Sequence, residues 1–120
     1  MSAPTVLIVE DDPDTREMLG KFLELEGFHV ETAANGQLAL DKLSSGVTVG
    51  VIVLDLMMPV MDGWQFRKHQ LADKRFAQIP TIVVSAAGRD RMSQVEADAY
   101  LAKPIDMDEL LSRVAEYCKV

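Results

Sequence analysis

Val6-Leu7-Ile8-Val9-Glu10-Asp11-Asp12-Pro13 decides how this chain is read. Val6 to Val9 is an unbroken apolar run, β-branched at Val6, Ile8 and Val9. Such a run suits a strand buried on both faces. Carboxylates follow at once where the run ends. Asp12 suits a helix N-cap and Pro13 the first helical turn. Met18, Leu19, Phe22 and Leu23 then fall at helical spacing, and Gly27 supplies a stop. A buried strand, an acidic corner and a helix make the opening of a parallel α/β unit.

The same alternation continues along the chain. Phe28, Val30 and Thr32 alternate with His29 and Glu31, which predicts a second strand with a more exposed side. Asn35-Gly36 restarts the chain, and Leu40 and Leu43 mark a second helix. Val51 to Leu54 is a third buried strand ending at Asp55. Pro59 and Asp62-Gly63 break the next segment before a helix from about Trp64 to Leu71. Pro80 enters a fourth strand, Thr81 to Ser85. The stretch from Gly88 to Ala97 allows only a short helix, and Ala99 to Ala102 makes a small fifth strand. Asp106 and Glu109 have capping-box spacing. Leu110, Leu111, Val114 and Tyr117 give the last helix an apolar stripe.

Continuous apolar strands separated by helices predict a parallel sheet covered on both faces. The expected fold is α/β, five-stranded, in the flavodoxin-like order 2-1-3-4-5 with a shortened fourth helix. No shift in composition and no repeat divides the 120 residues. One domain is therefore expected over 1–120, with its core at about 5–118.

Nineteen acidic residues stand against 12 basic ones, for a net charge of −7. The richest basic run, Arg67-Lys68-His69, is too short to meet a phosphate backbone, so no direct nucleic-acid binding is expected. The sign also opposes an anionic membrane. No apolar stretch has transmembrane length, and Met1-Ser2-Ala3-Pro4 has no signal-peptide pattern. Cys118 is the sole cysteine. It can form neither an intrachain disulfide nor a cysteine metal cluster, which fits a reducing compartment. A cytoplasmic location is expected.

Ligands of an open α/β sheet bind beyond the carboxyl ends of its strands. There this sequence places Glu10, Asp11 and Asp12, then Asp55, Ser85 and Lys103. Crowded carboxylates repel one another. Magnesium relieves that repulsion and keeps exchangeable waters. Such a site can receive a phosphoryl group, with an aspartate as nucleophile. Lys103 supplies a positive point charge and Ser85 a neutral hydrogen bond.

Beside Val6–Asp12, the chain carries Asp55-Leu56-Met57-Met58-Pro59 with Met61-Asp62-Gly63, then Val84-Ser85-Ala86, then Tyr100-Leu101-Ala102-Lys103-Pro104. In order and spacing these resemble the response-regulator receiver domain, the phosphoacceptor module of two-component signalling. The resemblance covers essentially the whole chain. It implies that Asp55 accepts a phosphoryl group from a sensor histidine kinase or phosphotransfer protein. It further implies that Asp11, Asp55 and the Met57 carbonyl bind Mg2+ directly, with Glu10 acting mostly through water. Lys103 would pair with the phosphoryl group or with Asp55, and Ser85 would move toward a phosphoryl oxygen. Tyr100 matches an aromatic switch position that turns inward after phosphorylation, and Lys103-Pro104 matches a peptide bond usually cis. A downstream protein would read the switch, and a phosphorylation-dependent homodimer stays open. If the chain is complete, its length leaves no room for a DNA-binding or enzymatic output domain.

Two departures from the family pattern matter. The stretch from Ser85 to Lys103 is roughly one helical turn short, which shifts the expected partner contact toward the last helix or another face. Met57 and Ala87 occupy positions whose side chains in the family affect attack by water. Neither can orient a water through a charged or amide group, so slow self-dephosphorylation is expected.

Plainer readings stand beside these. Asp12 serves as a cap, Tyr100 covers a sheet edge, and Trp64, Phe22 and Phe28 pack. His29 and His69 lack metal-ligand partners. A phosphatase of the haloacid-dehalogenase type wants a second aspartate where Met57 stands. A flavin carrier would have its phosphate repelled by Glu10-Asp11-Asp12. The serious rival is a degenerate receiver that works as a phosphorylation-independent interaction module.

Overall fold

The computed structural model describes residues 4–118. In chain order they form β1 (Thr5–Val9), α1 (Pro13–Leu25), β2 (His29–Ala33), α2 (Gly36–Ser44), β3 (Val49–Leu54), α3 (Gly63–Ala72), β4 (Thr81–Ser85), α4 (Arg89–Met92), β5 (Ala99–Ala102) and α5 (Met107–Tyr117). The sheet is parallel throughout, in the order β2-β1-β3-β4-β5. This is the flavodoxin-like α/β fold that the strand pattern predicts.

The alternation of β1 explains why both sheet faces are covered. Val6 and Ile8 point to one face and pack with Leu19 and Leu23 of α1 and Leu110 and Val114 of α5. Leu7 and Val9 point to the other and meet Ala39 and Leu43 of α2 and Phe66 of α3. Val6 to Val9 are all almost fully buried. Each such side chain contributes about 1.5–3 kcal/mol relative to exposure. A third cluster, Leu56, Val83, Ala87, Met92 and Val95, lies under the short α4 with Trp64 against it.

Helix ends follow their cap chemistry. Asp12 accepts from the Thr15 amide at 3.0 Å, with Pro13 opening α1. Asn35 caps α2 through the Leu38 amide. Asp62 and Gln65 form a reciprocal capping box on α3, which the sequence reading marks only as a break. The spacing of Asp106 and Glu109 suggests a second box. In the structure Asp106 accepts from the amides of Asp108 and Glu109, so the cap is one-sided. In β2, Thr32 is exposed rather than inward, and Glu31 is half-buried beside Lys42 at 2.7 Å.

At the amino edge of the sheet, the Cys118 thiol lies 3.4 Å from the Pro4 carbonyl. Gly50 lies beneath both: a Cβ there would meet Pro4 Cβ at 2.8 Å and Cys118 Sγ at 3.1 Å. Burial pushes the thiol pKa up, so Cys118 is a packed apolar side chain rather than a reactive one.

Candidate functional site

β1, β3, β4 and β5 deliver their last residues to one end of the sheet. Glu10 and Asp55 are nearly buried there, at 3% and 5% exposure, and Asp11 is half-buried. Carboxylate oxygens of Glu10, Asp11 and Asp55 all lie within 4.8 Å of one another. This donor set fits a hard divalent cation, which favours several carboxylate oxygens and retained water. His29 and His69 take no part in it.

Lys103 reaches into the cluster from the loop after β5. Its Nζ is 2.6 Å from Glu10 Oε1 and 3.2 Å from Asp55 Oδ2. Burial opposes its charge, but the hydrogen bond to Glu10 and the fields of Asp55 and Glu10 win, and its pKa is raised. Asp11 is also raised, by burial and then by the adjacent Glu10 carboxylate. Cation binding relieves that repulsion. The second oxygen of Glu10 accepts from the Asp12 amide at 3.1 Å. Asp12 itself is held below the usual carboxylate range by the Thr15 hydroxyl and amide, and it serves as the cap.

Around Asp55 the backbone is closely wrapped. The Met57 amide donates to Asp55 Oδ1 at 3.2 Å, which sets the Met57 backbone beside that carboxylate. The Gly63 amide donates to the Leu56 carbonyl at 2.8 Å. Val60 in the same loop has φ 72°, a conformation that a β-branched residue adopts only under strain. Ser85 is fully buried, and its Oγ accepts from the Ala87 amide at 3.2 Å. The Lys103–Pro104 peptide is cis. Tyr100 is turned outward at 42% exposure. Its hydroxyl accepts from the Ala97 amide at 3.0 Å and donates to the Val95 carbonyl.

Several supporting residues escape a reading by composition. Arg67 belongs to the basic run Arg67-Lys68-His69. In the structure it is buried, donating to the Glu96 carbonyl, Gln70 Oε1 and Thr81 Oγ1. Its position on the α3 face shared with Trp64 is the only sequence signal. Arg16 donates to the Glu10 carbonyl at 2.9 Å and the Asp11 carbonyl at 3.3 Å, tying α1 to the acidic corner.

Comparison with known proteins meets this geometry at one point: residues 6–115 match the response regulator receiver domain. The chain belongs to that family. Among curated receiver-containing proteins it is 40% identical over 111 residues to the response regulator Rre1 of Synechocystis sp., covering 88% of this chain and 48% of that protein. It is 38% identical over 113 residues to the CpxR homolog of Haemophilus influenzae, with 91% and 48% covered. The chain thus spans about half the length of the first curated relatives it matches. The chemotaxis protein CheY4 of Vibrio cholerae superposes with a TM-score of 0.88 at 30% identity, over 97% of this chain and 99% of that one. The response regulator TrrA of Thermotoga maritima, solved in complex with Mg2+-BeF, gives 0.83 at 32% identity, over 95% and 98%. As a receiver domain the chain carries the phosphorylatable-aspartate chemistry of two-component signalling, not that of a classical enzyme.

Proposed function

We propose that this receiver domain, spanning 1–120 with its core at 5–118, takes a phosphoryl group on Asp55 and passes the signal on by changing its protein contacts. The observation that carries this reading is the convergence of Glu10, Asp11, Asp55 and Lys103 at one sheet end. An Asp55 carboxylate oxygen attacks the phosphorus of a phosphohistidine, or of a small acyl phosphate. The new O–P bond forms as the bond to the donor nitrogen or oxygen breaks, and the donor leaves with that electron pair. Asp11, Asp55 and the Met57 carbonyl would hold Mg2+, with Glu10 acting through water. When bound, the ion offsets charge on the transferring oxygens.

Lys103 already sits beside Asp55 and can follow the charge to the phosphoryl group. Ser85 can exchange its Ala87 bond for one to a phosphoryl oxygen. Phosphorylation adds about −1.5 to −2 charges and three acceptors, which the Ser85 and Lys103 loops can satisfy together. Tyr100, next to those loops, is the residue whose outward setting would change.

The phosphodonor is a histidine kinase or phosphotransfer protein, as for receiver domains generally. A downstream protein, and a second copy of the chain after phosphorylation, are further contacts we propose. Among the described residues no helix is long and apolar enough to cross a membrane. With the acidic balance and a lone thiol, that supports work in the cytoplasm and none on nucleic acid.

A phosphorylation-independent interaction module is the second reading, and the four-residue α4 favours it. Incubation with Mg2+ and acetyl phosphate, followed by intact-mass measurement, separates the two. Gain of one phosphoryl mass in the native chain and none in Asp55→Asn supports phosphoacceptance. No gain with either acetyl phosphate or a phosphorylated histidine donor supports the module.

A further inference from the structure

Tyr100 is held outward by a segment that has little helix of its own. Its hydroxyl bonds to the backbone of Val95 and Ala97, beyond the end of α4 at Met92. That segment is fixed from α3. Trp64 Nε1 donates to the Arg91 carbonyl at 3.2 Å, and the Arg91 guanidinium lies 4.5 Å above the Trp64 ring. Arg67, one turn further along the same face of α3, donates to the Glu96 carbonyl at 2.8 Å. Arg67 is itself immobilised by Gln70 and Thr81. Glu96 lies between the two residues that bond Tyr100. Together with Ala87, Met92, Ser93 and Ala102, Tyr100 lines a groove of about 510 Å3.

We propose that Trp64 and Arg67 are positioning residues that latch Tyr100 in its outward setting, so that helix α3 sets the resting state of the switch. The role of Tyr100 as a switch rests on the phosphoacceptor reading; the latch itself requires no phosphorylation. Two donors on a rigid helix take the place of the missing turn of α4. Trp64 holds the carbonyl of Arg91, and Arg67 holds that of Glu96 and with it the flanking backbone that anchors the phenol. Inward rotation of Tyr100 must give up both of its hydroxyl bonds. Loosening α3 from this segment removes the support on which those bonds depend.

The test uses the unphosphorylated chain, labelled with 3-fluorotyrosine, with Tyr117 as internal reference. Trp64→Phe keeps an aromatic ring but loses the donor. Arg67→Lys keeps charge but not the forked set of bonds. Loss of one hydrogen bond is expected to speed exchange of the Ala97 amide about fivefold, while β1 and β3 amides keep native rates. The Tyr100 fluorine resonance is expected to move toward the position that Mg2+ and beryllofluoride produce in the native chain. Native Ala97 exchange and an unmoved Tyr100 resonance in both variants would overturn the latch. Should Arg67→Lys lose β1 and β3 protection, Trp64→Phe alone decides. Failure of beryllofluoride to bind counts against phosphoacceptance, whereas the Ala97 rates still judge the latch.

Discussion

The Lys103 ammonium lies 3.2 Å from Asp55 Oδ2, bridging from the end of β5 to the end of β3. The same nitrogen holds Glu10 at 2.6 Å. One cation therefore restrains two nearly buried carboxylates in the resting domain. Lys103→Gln leaves both without that partner and is expected to cost about 2 kcal/mol at neutral pH. This is less than the roughly 3–5 kcal/mol of an enclosed pair, because the lysine side chain keeps 24% exposure. Urea unfolding reads the loss, and Mg2+ should restore part of it. The pKa of Lys103 is raised above its ordinary 10.5. Its contribution is thus fully present below that value and is lost as pH rises through the raised one. The gap between native and variant stability should close above the ordinary lysine range. A gap that widens there contradicts the assignment.

Gly63 is required by close approach, not by an unusual φ. A Cβ at this position would stand 2.5 Å from the Asp55 carbonyl and 2.6 Å from Leu56 Cα. Backbone cannot give way as a flexible side chain can. Gly63→Ala is expected to destabilise by about 1–3 kcal/mol and to slow phosphorylation of Asp55 through displacement of its backbone. Urea unfolding and the rate of mass gain with acetyl phosphate check the two effects.

Val60→Gly should act in the opposite direction. The left-handed backbone of Val60 costs about 1–2 kcal/mol for a residue with a Cβ, and its side chain is 82% exposed, so little burial is lost. Glycine returns part of the gain through its freer unfolded chain. A net stabilisation of about 0.5 kcal/mol is expected in denaturant melts, and a destabilised variant would show that the valine makes a contact worth more than the strain.

Once formed, phosphoaspartate should persist for minutes or more. Met57 is half exposed and Ala87 is buried, and neither offers a group that aligns water. Decay of a radiolabelled phosphoryl group measures the lifetime. Met57→Asn should shorten it by supplying an amide; loss within seconds in the native chain is the contrary result.

Amide exchange across 86–99 should be fast at its beginning. α4 is four residues long, and Gly88 caps it with no side-chain hydrogen bond. Protection should gather around Val95 to Ala97, where Tyr100 and α3 hold the backbone, and a phosphoryl mimic should alter it. Uniform protection characteristic of a long, stable helix would argue against this picture.

The strands, the short α4 and the carboxylates at strand ends were legible in the sequence because each has a local signature, whereas the strand order came from the general rule for open α/β sheets. Buried parallel strands read as unbroken apolar runs, and polar residues at their carboxyl ends must share one surface. The inward side of β2 was less legible. It is an edge strand, paired on one side to β1, so Glu31 can be partly covered through Lys42 while Thr32 faces solvent. The place of Arg67 was not legible, because burial of a guanidinium depends on acceptors brought from Gln70, Thr81 and Glu96, which no local run of residues displays. Gly63 shows the same limit: the sequence marks a turn, but the intolerance of a Cβ comes from the Asp55 carbonyl folded back against it.

The contact between Cys118 and Pro4 has a practical side. It brings positions 4 and 118 together at the edge of the sheet where β1 begins, and the acidic cleft opens where β1 ends. Fluorescent reporters, affinity handles or surface tethers joined near either position would project away from the cleft.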